Sequence, residues 1–255
     1  RQVEAQRHQR TFGVVTHRGV RRVLVHPVVL HPGVEAGLRH ALHQAPGRLL
    51  HLVGGLAQQH QVHLIAGTIP LEASDRQKVL NTTLVFNPQG LCIARYDKMH
   101  LFGFQTEKER YQESETIEAG NQISTVRIPD QGNNWVFGLS ICYDLRFPEL
   151  YRQHEPVDCQ VIPAAFTHTT GKDHWEILLR ARAIENQCYF LASAQGGMHQ
   201  NQRQTWGQSM LIDPWGQIMQ ELATGEGFVI GQIYQETLEG VRSKLPALKH
   251  RKLSS

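Results

Sequence analysis

Residues 138–152 read GLSICYDLRFPELYR. The run from Trp135 to Ile141 that feeds into them is almost wholly apolar, the pattern of a strand covered on both faces. Pro148 followed by Glu149 is a favoured way to begin a helix. Cys142 therefore falls on a strand-to-helix corner, where a side chain projects beyond the end of a sheet. The following helix would offer unpaired N–H groups and a partial positive charge, both of which favour a thiolate. Against this stands the ordinary fate of a free cysteine, which is to be a small buried hydrophobe.

Working outward, the alternation of strands and helices continues on both sides of the corner. LAQQHQVHLIAGTIP reads as the end of a helix and a strand from His63 to Ile69, closed by Pro70. NTTLVF, the turn NPQG and LCIARYDKMHLF form a hairpin, with Pro and Gly where a type I turn prefers them. Lys98 lies at the exit of its second strand. Residues 103–124 are polar and without period, hence a long loop of the kind that often carries function. Beyond the corner, Asp158 to Ala164 is a strand and HWEILLRARAIENQ a helix, with an apolar stripe of Trp175, Leu178, Leu179 and Ile184. CYFLASA is another strand, SMLIDPWGQIMQEL a second hairpin, GFVIGQIY a last strand, and ETLEGVRSKLPALKHRKL a short helix with a basic tail. Hairpins mixed with strand-helix-strand units predict sheets of mixed direction with helices outside.

The whole chain, 255 residues with 40% hydrophobic and 19% charged residues, has the composition of a soluble globular protein and room for one large α/β domain. No apolar stretch reaches the length of a membrane span. The formal charge of +3 is small, which disfavours a general polyanion binder. The four cysteines, Cys92, Cys142, Cys159 and Cys188, show no CxxC spacing, so a reducing cytoplasm is expected. Residues 1–53 differ: they hold eight Arg, seven His, no Lys and only the acids Glu4 and Glu35. A nucleic-acid arm or a His-rich metal patch would have such a composition, yet the histidines are scattered and aromatics are nearly absent. An altered reading frame, or divergence that has erased the original signals, accounts better for residues 1 to about 50.

Several motifs occur together in one register: YDKMHLF, YQESETIEAG, GLSICYDLRFPELYR, PAAFTHTTGKDHWEILLRARAIENQCYFLASAQGG and GQSMLIDPWG. They closely resemble segments of the nitrilase superfamily of carbon–nitrogen hydrolases, and within it the Nit-type amidases, including those acting on deaminated glutathione. The resemblance covers roughly residues 55–250. It implies a single domain over residues 1–255 with a four-layer α-β-β-α sandwich of two mixed sheets, pairing through helices into a homodimer or larger homo-oligomer. It also implies catalysis by Cys142 as nucleophile, Lys98 as oxyanion partner and Glu113 as supporting carboxylate, with no metal and no organic cofactor. Tyr143, Phe166 and Trp175 are the substrate-binding candidates, Tyr143 through its main-chain N–H. The substrate would be the primary amide of a small carboxylate compound, with no nucleic acid or membrane partner.

One departure stands out. The family places a general-base glutamate after an early strand, in a context resembling VVLPE, whereas this chain has VVLHPG, with Pro32 and Gly33 where the acid is wanted. Val28 to Leu30 would preserve the strand, and Glu35 comes two or three positions late. The alternative function is accordingly a nitrilase-like binder of a ligand or partner without turnover. Arg146 could hold a substrate carboxylate or pair internally with Asp144 or Glu149, and the internal pair is expected.

Overall fold

A computed structural model describes residues 13–17, 20–26, 46–105, 110–130, 133–154, 156–200 and 202–253. Val28 to Leu30, Pro32, Gly33 and Glu35 lie outside these residues, so the general-base position is not described. Among the described residues two larger sheets carry the fold. The first contains β1 (Gly13–His17), β2 (Val20–His26), β3 (Val62–Glu72), β4 (Val79–Phe86) and β5 (Cys92–Asp97), and is extended by β17 (Val229–Gln232) at the β2 edge and the short β8 (Ile117–Glu118) beside β4. The second runs in the order β16 (Ile218–Leu222), β15 (Ser209–Ile212), β12 (Tyr189–Ala194), β11 (Cys159–Ala164), β10 (Asn133–Leu139) and β9 (Thr125–Asp130). β10, β11 and β12 are parallel to one another and the outer pairs antiparallel, so the sheet is mixed as expected.

Side-chain alternation along β3 and β4 decides what each face covers. Leu64, Ala66, Leu84 and Phe86 pack with Val53 and Ala57 of helix α1 (Pro46–His60), whereas Ile65 and Val85 point the other way. That opposite face joins Phe137, Leu139, Val161, Leu191 and Leu211 of the second sheet in one apolar cluster. A period of two thus gives a first sheet buried on both sides. Helix α2 (Pro148–Gln153) follows β10, helix α3 (His168–Asn186) follows β11, and helix α4 (Gln235–Lys244) ends the regular structure. Trp175, Leu179 and Ala183, four residues apart on α3, enter the cluster.

Several boundaries differ from the sequence reading for identifiable reasons. β3 runs through Pro70, which pairs with Asn81 of β4. Among the described residues β3 is bonded on its other side to β1 from Val62 to Ala66, short of Pro70. α3 starts at His168, well before Trp175, because Thr167 caps it by accepting from the Thr170 N–H. Its stripe is Trp175, Leu179 and Ala183 with Leu178 packed beside them, and Ile184 is 48% exposed. Gly171 permits the approach, since a Cβ there would come within 2.2 Å of Trp206. The turn 87–90 forms as read, with Gly90 at φ +78 and its N–H bonded to Asn87 O. Residues 103–124 are less irregular than expected: β6 (Gly103–Gln105) and β7 (Arg110–Gln112) pair, and a 3-10 turn, Glu113–Glu115, follows. β17 leaves the second hairpin and joins β2, closing the first sheet rather than the second. No helix among the described residues is long and apolar enough to cross a membrane.

Candidate active site

The corner takes a form the sequence only outlined. β10 ends at Leu139, and Cys142 opens a 3-10 turn, Cys142–Arg146, before α2 begins at Pro148. Cys142 itself sits at φ +49, a left-handed conformation that costs a non-glycine residue about 1 kcal/mol or more and tends to occur at functional sites. The surroundings hold it there. Ser140 donates both its N–H and its hydroxyl to Val161 O, and Arg182 Nε on α3 donates to Leu145 O at 3.1 Å.

Asp144 is the strongest of these restraints. Its side chain is wholly buried, and one oxygen accepts from the Ile141 N–H at 2.8 Å and the Tyr96 hydroxyl at 2.7 Å. The other accepts from the His100 N–H at 3.1 Å and lies 2.7 Å from His100 Nδ1, which places the ring proton on that nitrogen. His100 also stacks on Phe147 with ring centroids 3.8 Å apart. Burial, then the neighbouring Asp144 charge, push the Tyr96 phenol well above its ordinary pKa, so it remains a donor. Tyr96 and His100 flank Lys98. One carboxylate therefore fixes the Cys142 turn against the strand end that carries the lysine, a role the sequence reading missed.

Lys98 is 1% exposed, the only lysine among the fully buried large side chains of the described residues. Its Nζ is paired with Glu113 Oε2, and the same oxygen accepts from the Phe102 N–H at 2.8 Å. Burial alone would lower the lysine pKa, but the Glu113 carboxylate, followed by Cys142 and Asp144, outweighs it and the net direction is upward. The ammonium form is held. Lys98 and Glu113, expected to act together, are brought together, and Cys142 is close enough to Lys98 for each to feel the other's charge.

The thiol behaves differently from expectation. Burial raises its pKa; Lys98 opposes this, Glu113 reinforces it, and the Ala165 N–H and Arg203 favour the thiolate by smaller amounts. A helix terminus does not rescue it, because the turn Cys142–Arg146 intervenes and α2 has only six residues. Lys98 is already committed to Glu113, so it offsets lost hydration incompletely. The net direction is upward, which favours the neutral thiol.

Tyr143 is partly exposed, its ring edge-on to Phe102 at 5.1 Å and to Phe147 at 5.3 Å. Phe166 is buried 4.8 Å from Trp175. Trp175 itself is fully buried and donates its indole N–H to Gln208 O, so any effect on a substrate passes through Phe166. Arg146 does not make the expected pair with Asp144 or Glu149. Its guanidinium lies 3.3 Å from His174 Nδ1 and over the rings of Phe166 (5.4 Å) and Tyr143 (5.8 Å), while Asp144 is turned inward to Tyr96 and His100. Among the described residues no three His, Cys, Asp or Glu side chains cluster as a metal site.

Two outcomes follow from this geometry. Replacing Asp144 by Ala strands the Tyr96 hydroxyl, the His100 donors and the Ile141 N–H, and should cost about 3 kcal/mol or more in urea unfolding; a loss below about 1 kcal/mol would refute its anchoring role. A raised thiol pKa means the thiolate appears only as pH rises, so Cys142 alkylation by iodoacetamide should keep accelerating through the ordinary thiol value of 9.0. A rate already level at pH 7 would show an ionised thiol instead.

Comparison with known proteins places the chain in a family. The profile of the carbon-nitrogen hydrolase family matches residues 24–243, reaching further toward the N-terminus than the motifs from residue 55 onward. Deaminated glutathione amidase of Synechocystis sp. (strain PCC 6803 / GT-S) is 45% identical over 200 residues, 77% of this chain and 73% of that protein. Omega-amidase NIT2 of Mus musculus is 36% identical over 210 residues, 81% and 74% respectively. Among solved structures, the Caenorhabditis elegans NitFhit protein superposes with a TM-score of 0.76 at 35% identity, over 88% of this chain and 54% of that one. Nit3 of Saccharomyces cerevisiae gives 0.71 at 31% identity, over 82% and 73%. Amidase names among these relatives do not favour the alternative of a binder without turnover. The chain belongs to the carbon–nitrogen hydrolase family, within the nitrilase superfamily that its motifs resemble.

Proposed function

We propose that this chain hydrolyses the primary amide of a small carboxylate-bearing compound, deaminated glutathione or a close analogue, through a thioester on Cys142. The observation that carries the reading is the strained Cys142 beside the buried Lys98, which is paired with Glu113. The names of the similar amidases support the substrate class.

The residues divide the work as follows. Cys142 sulfur attacks the amide carbon after its proton passes to a base, and the carbonyl π pair moves onto oxygen. Lys98 and the Tyr143 N–H are the donors for that oxyanion, already oriented before the charge develops. Glu113 keeps the lysine charged and fixed. Collapse re-forms the carbonyl, breaks the C–N bond and releases ammonia with the added proton. Water then adds to the thioester, yielding the carboxylic acid and the free thiol. Both halves need a general base. The position that would supply it lies outside the described residues, with Glu35 the nearest acid in sequence. Phe166, backed by Trp175, and Tyr143 line the approach to the sulfur.

The wider setting is part of the same proposal. The chain forms one domain over residues 1–255, a four-layer α-β-β-α sandwich working in the cytoplasm as a homodimer or larger homo-oligomer. Exposed Ile177 and Ile184 on α3, with Trp215 nearby in the β15–β16 turn, support helix-mediated pairing.

Ammonia release from carboxylate-bearing primary amides tests the reaction. Cys142→Ala should abolish it, and Lys98→Met should lower kcat roughly 10²- to 10³-fold, the range for loss of one oxyanion donor. Wild-type protein that releases no ammonia from any such amide, or Cys142→Ala that remains active, would overturn the proposal.

A further inference from the structure

Lys98 is held at its base as well as at its head, and one segment supplies both contacts. The lysine follows directly on β5, so the place of its ammonium is set from the 97–98 backbone. On one side the Lys98 N–H donates to Asn81 O of β4 at 2.9 Å. On the other, the Gly120 N–H donates to Lys98 O at 2.8 Å. Gly120 is delivered by β8, which pairs in parallel with Val79 and Leu80 of β4. The Glu118 carboxylate ties the same stretch to the Ser74 hydroxyl at 2.8 Å and the Asp75 N–H at 2.9 Å. Earlier in this segment stands Glu113, the partner of the lysine Nζ.

The approach of Gly120 leaves no space for a side chain. A Cβ there would lie 2.2 Å from Asp97 O, 2.8 Å from Asp97 C and 2.9 Å from Asp97 Cβ. The first two atoms belong to the peptide that joins Asp97 to Lys98, and no rotamer change moves them. That peptide is planar, so displacing Asp97 O displaces the Lys98 N–H with it. Asp97 Cβ is held too, because its carboxylate accepts from Thr82 Oγ1 and Arg95 Nε. Backbone conformation is not what requires glycine, since the Gly120 φ lies outside the left-handed range; the requirement is space. Among the described residues the other glycines pressed this closely on backbone are Gly54 of α1 against Gly90, and Gly196 of β13 (Gly196–Met198) against Gly207, at the base of the hairpin that β13 forms with β14 (Gln204–Trp206). Neither pair includes a neighbour of Lys98.

We propose that Gly120 is a positioning residue for Lys98: its N–H and its bare Cα fix the lysine's backbone, and through it the place of the ammonium beside Cys142. A side chain at 120 forces either the Asp97–Lys98 peptide or the 117–120 segment to retreat, and the second retreat breaks the bond to Lys98 O. The role bears on catalysis through the oxyanion contact of Lys98, so its purpose rests on the amidase reading, but the placement can be measured without turnover. Lys98 is the largest influence favouring the Cys142 thiolate, and a displaced ammonium therefore shows as slower alkylation of that sulfur.

The measurement is iodoacetamide alkylation of the Cys142 peptide at one pH, followed by mass spectrometry. Gly120→Ala should slow it about threefold or more, part of the effect of removing a nearby charge in a partly buried site. In a Lys98→Met background the same substitution should change the rate by less than about 1.5-fold, since a residue acting through the lysine has nothing left to act on. Gly54→Ala, a tight glycine away from the lysine, should leave the rate within about 1.5-fold of wild type, whatever it costs in stability. Labelling of the buried Cys159 and Cys188 reports an opened structure. If Gly120→Ala opens, Glu118→Ala carries the test, because it only frees the segment from Ser74 and Asp75 at the surface; it should slow alkylation by about 1.5-fold or more, and only with Lys98 present. A folded variant slowed by less than about 1.5-fold, equal slowing with and without Lys98, or equal slowing in Gly54→Ala refutes the role. Failure of the amidase reading looks different: no ammonia from any amide, with Cys142 alkylation still dependent on Gly120 through Lys98.

Discussion

A single buried carboxylate, Asp144, holds the site in register. Burying an unpaired charge costs several kcal/mol, and the cost is met only when its oxygens are well bonded. Here each oxygen has two partners, drawn from the nucleophile turn on one side and from the residues flanking Lys98 on the other. Lys98 and Cys142 come from different sheets, Lys98 from the end of β5 and Cys142 from the end of β10. Their relative placement would otherwise depend on the packing of apolar side chains alone, which is far less directional than hydrogen bonds. Asp144 supplies the direction.

The electrostatics of the corner then follow from depth. A half-buried thiol that has lost part of its hydration favours the protonated form unless a cation compensates, and the adjacent cation is bound to Glu113. A committed lysine is poorly suited to ionising a resting cysteine, and well suited to meeting new negative charge on an oxyanion, because it remains charged and immobile throughout. The strain at Cys142 belongs to the same arrangement: the left-handed conformation aims the sulfur away from the strand direction, with Ser140, Arg182 and Asp144 supporting the backbone on either side.

Much of this was legible in the sequence because local signals and burial agreed. The apolar run into Cys142, the Asn-Pro-Gln-Gly turn before Lys98 and the strand that ends at Ala164 each have a local cause, and each forms. What could not be read depends on distant partners. Nothing near Asp144 announces that it bonds Tyr96 and His100 forty-odd residues upstream, and so Arg146 was paired with it wrongly. No helix terminus meets the thiol, because a 3-10 turn stands between Cys142 and α2 and burial is the largest influence on the sulfur. α3 was started too late because Thr167 was not recognised as a cap, a signal the sequence did contain. Strands form at 13–17 and 20–26, inside the segment whose composition departs from the rest of the chain.

The central claim is a transient covalent bond between Cys142 and the acyl group of an amide. Its most direct measurement is acid quenching of the protein during turnover of deaminated glutathione, followed by peptide mass spectrometry. The account requires an acyl mass, equal to the substrate less ammonia, on the peptide bearing Cys142 and removable by hydroxylamine. Ammonia released in that experiment with Cys142 unmodified, or the same mass on Cys92 instead, would contradict it.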